Sequence, residues 1–327
     1  MSHPFRTAGP RFRSPEVSLP RVAYLACAGT LPGAPERRGD AFEHDVMVAA
    51  LTPAFAARGL ALAPLDWRAP LADFAGMAAA LIGTPWDYFD HAAEFLGKLA
   101  GLEAAGIAVF NSLEVVRWNI EKTYLRDLAE RGAPTIPTLW HDDATRGDIL
   151  AAMDAFRTHS VVVKRQIGGG ALGQHRFARD GLPPEGWRMG HAAMIQPFLP
   201  AIVEEGEISL IFIAGAFSHA LRKRAAAGDY RIQSLFGGRE EAFDPSPAER
   251  AQAEAVLAAC PFPAPLYARI DMVRLPAGAL AVMEVELIEP YLYPEQGSEL
   301  GERMAAAMAA RLGAPSNPAR PGALRRP

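Results

Sequence analysis

A lysine followed by a glycine-rich loop is the feature of this sequence that points most directly to phosphate chemistry. Lys164 ends the valine run at 161–163, whose β-branched side chains favour a buried strand. Glycine lets backbone amides approach an anion closely and adopts positive φ angles at low cost. The pattern therefore predicts a loop that covers nucleotide phosphates, with a ligand-free surface hairpin as the alternative. The loop glycines are Gly168, Gly169, Gly170 and Gly173.

The same glycines spell G-x-G-x-x-G, which is the fingerprint of a dinucleotide-binding fold. That fold needs a helix directly after the loop, and it would make the chain a nicotinamide-dependent oxidoreductase. The segment QHRFA at 174–178 has no apolar repeat of about 3.6 residues, so it predicts a short strand instead. A strand, a phosphate-covering loop and a second strand are therefore favoured over the dinucleotide-binding fold.

Lysine is rare in this chain, although lysine and arginine together number 33. A compact ammonium and a forked guanidinium are not interchangeable at a phosphate, so the retained lysines are candidates for function. Lys98 lies on a predicted helix and is the expected exception. Lys122 and Lys164 are predicted to hold a triphosphate from two sides. The remaining lysine is Lys223.

Three acidic residues on two predicted strands form a candidate metal site. Asp271 lies on one strand, whereas Glu284 and Glu286 lie on the next and are separated by two positions, so both face one side of the sheet. Carboxylates crowded onto an apolar face repel one another unless a cation joins them. Mg²⁺ is bound by a few carboxylates and leaves positions for substrate phosphates. The alternative is that these acids pair with Arg269 or Arg274, or point to solvent.

A candidate substrate site follows a predicted strand of the N-terminal half, in the segment TPWDY at 84–88. Loops at the ends of strands in open α/β sheets are where ligands usually bind. The alternative is a turn anchored by a packed tryptophan. The residues predicted to contact a small polar substrate are Thr84, Trp86, Asp87, Tyr88 and, at the end of the acid-bearing strand, Glu289.

The composition excludes several classes of protein. The 327 residues are half hydrophobic and carry a net charge of −4, which does not suit a nucleic-acid partner. No apolar run reaches the ~18 residues that a membrane span needs, and residues 1–20 lack the apolar centre of a secretion signal. Cys27 and Cys260 lie in apolar segments and by themselves provide no metal site. These observations predict a cytoplasmic protein without a nucleic-acid or membrane partner.

The elements that must position these residues are predicted to form three units of mixed α/β structure. Strands and helices alternate in the first unit, which predicts an open α/β sheet. The second and third units are predicted to be α+β, and they carry the lysines, the glycine loop and the acids. The predicted boundaries are a disordered tail at 1–20, units at 21–118, 119–195 and 196–312, and a flexible tail at 313–327.

Five further elements are predicted within the second and third units. Asp142 or Asp143 is expected to cap a helix that ends near residue 157. The acids are placed on strands at 266–273 and 279–288 that are expected to pair. A strand at 230–235 carries Arg231, and the last helix is expected at 297–312.

The order of these motifs resembles that of the ATP-grasp carboxylate–amine ligases, in particular the glutathione-synthetase-like and O-ureidoserine cyclo-ligase group. The resemblance extends over residues 21–312 and implies an ATP-grasp architecture with an N-terminal open α/β domain. The matching segments are TPWDY at 84–88, NSLEVVRWNIEKTYL at 111–125, GEISL at 206–210 and EVELIEPYL at 284–292.

The resemblance implies an ATP site in the second and third units. The two lysines would bind the α- and β-phosphates, the glycine loop would be a mobile lid, and the apolar segment after the loop would hold adenine. The implied residues are Lys122, Lys164, Gly168, Gly169 and Gly170 for the phosphates, Gln196, Phe198 and Leu199 for adenine, and Glu204 or Glu207 for ribose.

The resemblance also implies residues for metal binding and catalysis. Asp271, Glu284 and Glu286 would hold Mg²⁺, while Arg231 and Lys223 would stabilise the transferring γ-phosphoryl group and the acyl phosphate. One departure stands out, because many family members have Asn where this chain has Glu286. The coordination detail therefore does not carry over directly.

The implied activity is ATP-dependent ligation of a small, amino-acid-like substrate. A carboxylate would be phosphorylated to an acyl phosphate, which an amine or aminooxy nitrogen would attack, with release of ADP and phosphate. A donor and an acceptor in one molecule would give a ring. An ATP-binding module without chemistry is the alternative, and a homodimer is the expected assembly.

Overall fold

The computed structural model describes residues 19–170, 173–226 and 237–313, and these residues contain three β-sheets. The first sheet has four parallel strands in the order β2-β1-β3-β4 and two packed helices, because its strands are connected by helical crossovers. Its strands are β1 (Arg21–Ala26), β2 (Ala61–Asp66), β3 (Met77–Thr84) and β4 (Ala108–Phe110), and its helices are α1 (Ala41–Ala57) and α2 (Ala92–Ala104).

The glycine in strand β3 shows why this sheet packs closely. A Cβ atom on Gly83 would lie 2.2 Å from the ring of Tyr24 on the neighbouring strand. Only glycine fits beneath this buried ring. This close fit lets strand β3 continue through Gly83 to Thr84.

Two helices lead from the first sheet into the second, which has four antiparallel strands in the order β5-β8-β6-β7. Ser112 caps the first helix by accepting a hydrogen bond from the Val115 amide, as its position at a helix start predicts. The elements are α3 (Leu113–Asn119), α4 (Tyr124–Glu130), β5 (Leu139–His141), α5 (Arg146–Ala155), β6 (Ser160–Arg165), β7 (His175–Ala178) and β8 (Ala193–Pro197).

The start of helix α5 differs from the prediction. Thr145 is the cap, because its hydroxyl accepts from the Asp148 amide while the Asp148 carboxylate accepts from the Thr145 amide. This reciprocal arrangement is a capping box. Asp143, predicted as a cap, instead binds Arg188 and the amide of Gly190. The prediction that Asp142 or Asp143 caps this helix is therefore wrong.

Strands β6 and β7 form the predicted hairpin around the glycine loop. They pair antiparallel from Ser160 opposite Ala178 to Val163 opposite His175. A strand, and not a helix, follows Gly173, so the dinucleotide-binding interpretation is wrong. The φ angles of Gly168, Gly170 and Gly173 are +150°, +60° and +66°, which side chains with a Cβ rarely adopt.

The third sheet has five antiparallel strands in the order β11-β10-β9-β12-β13. Strands β12 and β13 pair as predicted, with Asp271 opposite Glu284 and Arg269 opposite Glu286. The predicted strand with Arg231 lies outside the described residues. The elements of this unit are α6 (Ala201–Glu204), β9 (Glu207–Ile213), β10 (Ala216–Arg224), β11 (Arg239–Phe243), α7 (Pro247–Ala258), β12 (Tyr267–Arg274), β13 (Leu280–Glu286) and α8 (Leu300–Arg311).

The three units are joined by packing and by buried polar contacts. Helix α8 packs against helix α1 so closely that a Cβ on Gly301 would lie 2.3 Å from the carbonyl oxygen of Ala50. The side chain of Asn119 donates to the Val285 carbonyl and accepts from the Leu287 amide, at 2.8 and 2.9 Å. These contacts fix strand β13, and its acids, against the start of the second unit.

No helix in the described ranges is both long enough and apolar enough to span a membrane.

Candidate active site

Side chains from all three units line a cavity of about 810 Å³. Most of the residues selected from the sequence contribute to its wall, although they come from segments far apart in the chain. They are Trp86, Tyr88, Lys122, Lys164, Gly168, Gly169, Gly170, Gln196, Phe198, Leu199, Glu207, Lys223, Asp271, Glu284, Glu286 and Glu289.

Lys122 connects the glycine loop with the acid-bearing strand. Its Nζ lies 2.8 Å from Glu284 Oε1 and donates to the carbonyl oxygen of Gly168 at 2.5 Å. Burial lowers the pKa of Lys122, but the attraction of Glu284 outweighs this effect, so that the pKa is raised overall. The ammonium is therefore charged and lies at the base of the loop.

Lys164 supplies a second positive charge to the same cavity. Burial lowers the pKa of its ammonium, the attraction of Glu284 opposes this, and the repulsion of Lys122 lowers it further. Within the described ranges, no carboxylate lies within 4 Å of the Lys164 ammonium. Lys122 and Lys164 are neighbouring ammonium groups, and in the described residues Lys164 has no carboxylate within 4 Å. Such an arrangement favours binding of a polyanion.

Asp271 is buried and already bonded to positively charged groups. Its two carboxylate oxygens accept three hydrogen bonds of 3.0–3.1 Å from Arg269, and Oδ1 also accepts from Ser209 Oγ at 2.5 Å. Burial raises the pKa of Asp271, but Arg269 and Lys223 hold it well below its usual range. Arg269 also donates to Glu286, so one guanidinium bridges two acids.

The other acids of this wall repel one another. Burial raises the pKa of Glu286 to about 8; Arg269 opposes the shift, whereas the charges of Glu284 and Asp271 add to it. Among the described residues no three His, Cys, Asp or Glu side chains already stand at metal-binding spacing. Their carboxylate oxygens are nevertheless the ligands that Mg²⁺ prefers, and a cation would relieve this repulsion. Glu284 and Glu286 are freer to bind it than Asp271.

The end of the cavity near Gln196 is apolar and suits a flat base. Gln196 is buried and donates to Thr138 Oγ1 at 3.0 Å, while Phe198 and Leu199 follow it at the end of strand β8. Apolar residues from four other segments complete this wall and were not predicted. They are Ile136, Ile202, Val273 and Met283, and no sequence pattern groups them.

Of the two acids predicted for ribose, only one lines the cavity. Glu207 is buried, and its Oε1 lies 2.9 Å from the Nζ of Lys223. Glu204 is exposed at the end of helix α6 and does not line the cavity, so its predicted role in ribose binding is not supported. Lys223 is also 3.4 Å from Asp271 Oδ1. Burial opposes its charge, but these acids raise the pKa of Lys223 well above its usual range.

Two residues predicted for the substrate have structural contacts instead. The hydroxyl of Thr84 is buried against His44 Nδ1 at 2.7 Å and Thr30 at 3.2 Å. Asp87 pairs with Arg68 at 2.7 Å and accepts from the indole of Trp67 at 2.7 Å. Neither residue lines the cavity, because their side chains point into the N-terminal unit.

Several cavity residues were missed by the sequence analysis. Arg269 was considered only as a partner of the acids, although its spacing of two from Asp271 places both side chains on one face of a strand. The others come from the start of helix α1, from strand β11 and from the segment after β13, where no pattern marks them. They include Arg38, Asp40, Glu43, Glu240, Tyr291 and Tyr293. Arg231 lies outside the described residues.

Comparisons with known proteins agree with this arrangement. A family profile described as "D-cycloserine synthetase DcsG, N-terminal domain" matches residues 22–111. The cycloserine biosynthesis protein DcsG of Streptomyces lavendulae is 30% identical over 273 residues, which are 78% of this chain and 90% of that protein. The chain belongs to the ATP-grasp ligase family. It is an ATP-dependent carboxylate–amine ligase, so the alternatives of a nucleotide-binding module and of an oxidoreductase are excluded.

Solved structures share the fold of this ligase. The crystal structure of D-cycloserine synthetase DcsG superposes with a TM-score of 0.72 at 27% identity, covering 89% of this chain and 99% of that chain. D-alanine–D-alanine ligase from Bacillus anthracis complexed with ATP superposes with a TM-score of 0.62 at 14% identity, covering 89% of this chain and 97% of that chain. The ATP-grasp ligase PsnB complexed with a minimal precursor, Mg and ADP superposes with a TM-score of 0.60 at 15% identity, covering 89% of this chain and 98% of that chain. At these lower identities the likeness shows the fold alone.

Proposed function

We propose that this ligase closes a ring in an amino-acid-like substrate by joining its carboxylate to a nitrogen of the same molecule. The observation that carries the proposal is the single cavity that brings two lysines and three acids together with a polar wall from the N-terminal unit. That wall, with Trp86 and Tyr88, falls within the segment that matches the N-terminal domain of D-cycloserine synthetase. The similarity of this substrate-side segment favours a substrate of the same chemical class.

The same cavity provides a place for ATP. Lys122 and Lys164 bind the phosphates, and the glycine loop covers them. Because glycine has no side chain, an anion can approach the backbone amides of this loop closely. The apolar end with Gln196 holds adenine, and Glu207 accepts a hydrogen bond from ribose. The arrangement is supported by the position of each group along one continuous wall.

Magnesium fits the acidic wall between these groups. Glu284 and Glu286 would hold it. Asp271 would join them if Arg269 gave up its hydrogen bonds to one oxygen of the Asp271 carboxylate. When bound, the metal supplies positive charge to the phosphate oxygens. Burial is the main cause of the raised pKa of Glu286, but the charges of Glu284 and Asp271 add to it, and a cation would remove this repulsion.

Arg269 and Lys223 stabilise the reacting groups. The substrate carboxylate attacks the γ-phosphorus, the bond from this phosphorus to the bridging oxygen breaks, and ADP leaves. Fixed cations stabilise the negative charge on the transferred group and so lower the barrier. Arg231 is assigned the same role from the family resemblance. The glycine loop keeps water from the acyl phosphate, after which the nitrogen displaces phosphate to form the amide bond.

The proposal is tested with purified protein, Mg²⁺, ATP and O-ureidoserine in its D and L forms, beside a panel of amino acids and dipeptides. ADP and phosphate release should depend on one of these carboxylates, and mass spectrometry should detect a cyclic product. Lys164→Met should abolish turnover, because the phosphates lose a buried cation. Lys98→Met is the matched control, since Lys98 bonds to the Ala69 carbonyl outside the cavity. Full turnover in K164M would contradict the assignment.

A homodimer and a cytoplasmic location stay predictions from the sequence. Light scattering coupled to size-exclusion chromatography measures the first directly.

A further inference from the structure

Glu289 lies where the three units meet in the cavity. Its backbone carbonyl accepts a hydrogen bond of 3.1 Å from the indole of Trp86, and its carboxylate accepts one from the Tyr88 hydroxyl. A Cβ atom on Gly169 would lie 4.0 Å from Glu289 Oε1. The carboxylate therefore lies close both to the substrate wall of the N-terminal unit and to the glycine loop.

Glu289 differs from the other acids of the neighbouring strands because it has no close ionic partner in the described part of the chain. Lys122 pairs with Glu284, Lys223 pairs with Glu207 and Asp271, and Arg269 pairs with Asp271 and Glu286. No Lys, Arg or His nitrogen in residues 19–170, 173–226 and 237–313 lies within 4 Å of the Glu289 carboxylate. An arriving amine therefore meets a carboxylate that is not already neutralised by a contact.

The surroundings of Glu289 also suit proton transfer near neutral pH. Burial raises its pKa to about 7; the Tyr88 hydrogen bond and Lys122 act in the opposite direction, Glu284 raises the pKa, and Arg269 lowers it. These are the charged and titratable groups that face it from the N-terminal unit, the second unit and strands β13 and β12. A base whose pKa lies near the working pH is the most effective proton acceptor.

We propose that Glu289 binds the nitrogen nucleophile and accepts its proton as the C–N bond forms. This inference rests on the proposed ligase function and adds the group that serves its second step. The nitrogen lone pair forms the bond to the acyl carbon, and the N–H proton goes to a Glu289 oxygen. The bond between the acyl carbon and the phosphate oxygen breaks, and its electron pair leaves with the phosphate.

The test separates the two chemical steps in Glu289→Gln. Glutamine keeps the size and polarity of the side chain but cannot accept the proton. With O-ureidoserine, ATP and Mg²⁺, cyclic product should fall about 100-fold or more. Added hydroxylamine traps the acyl phosphate as a hydroxamate without needing this base, because it is uncharged at neutral pH. Hydroxamate formation should stay close to the wild-type rate. Glu295→Gln, an exposed acid outside the cavity wall, is the control and should retain both activities.

A second variant gives a readout that a structural role would not move. Tyr88→Phe removes a hydrogen bond that lowers the pKa of Glu289, so this pKa should rise and the acidic limb of the kcat–pH profile should move to higher pH. The hydroxamate assay should not show that shift.

Three results would overturn the inference. Equal loss of cyclic product and hydroxamate in E289Q would place Glu289 in the phosphorylation step, and full retention of both would remove any role. If E289Q does not fold, the Y88F variant provides the test. An acidic limb of its kcat–pH profile that stays in place would contradict the proposed role of Glu289. Failure of the proposed function looks different, because the wild-type protein would then form neither hydroxamate nor ADP with any carboxylate offered.

Discussion

At the scale of single residues, several acids of the cavity already contact basic side chains of the protein itself. Arg269 contacts Asp271 and Glu286, Lys122 contacts Glu284, and Lys223 contacts Glu207. Buried charges are costly unless they are paired and hydrogen-bonded. The side chains that would serve a nucleotide therefore also hold the walls of the cavity together.

Arg269→Met should show this dual role in the free energy of unfolding. The change leaves Asp271 buried with the Ser209 hydroxyl and with Lys223, at 3.4 Å, as its remaining positively charged contact, and the loss of one partner of a buried pair costs about 3–5 kcal/mol. Urea denaturation of both proteins measures the difference. Arg274→Met is the control, since its pairs with Glu205 and Glu249 are partly exposed and should contribute about 1 kcal/mol or less. An equal loss in the two variants would contradict the argument.

At the scale of elements, close packing of helix α8 on helix α1 ties the end of the described chain to its beginning. Gly301 makes this approach possible because a Cβ there would meet the Ala50 carbonyl at 2.3 Å, and Ala54 at 3.4 Å. The joint positions the third sheet, and so the acids of β12 and β13, beside the N-terminal unit. A glycine inside a helix is otherwise unfavourable by about 1 kcal/mol relative to alanine.

Gly301→Ala should therefore lower the free energy of unfolding even though alanine favours a helix. The added methyl group has to displace helix α1, and overpacking costs about 1–3 kcal/mol. Gly97→Ala in helix α2 is the matched control, because a Cβ there meets no atom within 4 Å. That variant should gain up to about 1 kcal/mol. Thermal unfolding of the two variants should shift in opposite directions, and a stabilised G301A would show that the joint is looser than described.

The elements also show how far sequence reasoning extends. The hairpin of β6 and β7 and the pairing of β12 with β13 were predictable, because alternation and turn residues act between neighbours in the chain. The start of helix α5 was not, since several polar residues precede it and only Thr145 has Asp148 at the spacing of a capping box. Thr84 and Asp87 had suitable side chains, but the packing of the first sheet turns them away from the cavity.

At the scale of the whole molecule, the cavity is lined by residues that the three sheets and their connections bring together. A ligand that contacts all three should stabilise the folded chain by linkage, since it binds the folded state alone. At 100 times its Kd a nucleotide adds about 2.7 kcal/mol. This stabilisation gives a measurement that does not depend on knowing the carboxylate substrate.

A non-hydrolysable ATP analogue should raise the Tm more with Mg²⁺ than with a chelator. The physical reason is the repulsion between Glu284 and Glu286, which a cation shared with the phosphates would relieve. The double variant Glu284→Gln and Glu286→Gln should lose the Mg²⁺-dependent part of the shift. Lys98→Met should keep it. If the analogue raises the Tm equally with Mg²⁺ and with a chelator, the assignment of Glu284 and Glu286 as metal ligands is wrong.

The sequence by itself determined the local chemistry: a lysine at a strand end, a glycine loop between two strands, and alternating acids on a pair of neighbouring strands. Each of these depends on contacts among residues close in the chain or on the two-residue period of a strand. Tertiary structure alone decided that Arg269 donates hydrogen bonds to Asp271, and that Glu207 and not Glu204 lines the cavity. It also decided that four apolar residues form one wall, namely Ile136, Ile202, Val273 and Met283. Those outcomes depend on how distant elements pack, and no spacing within a single segment records that packing.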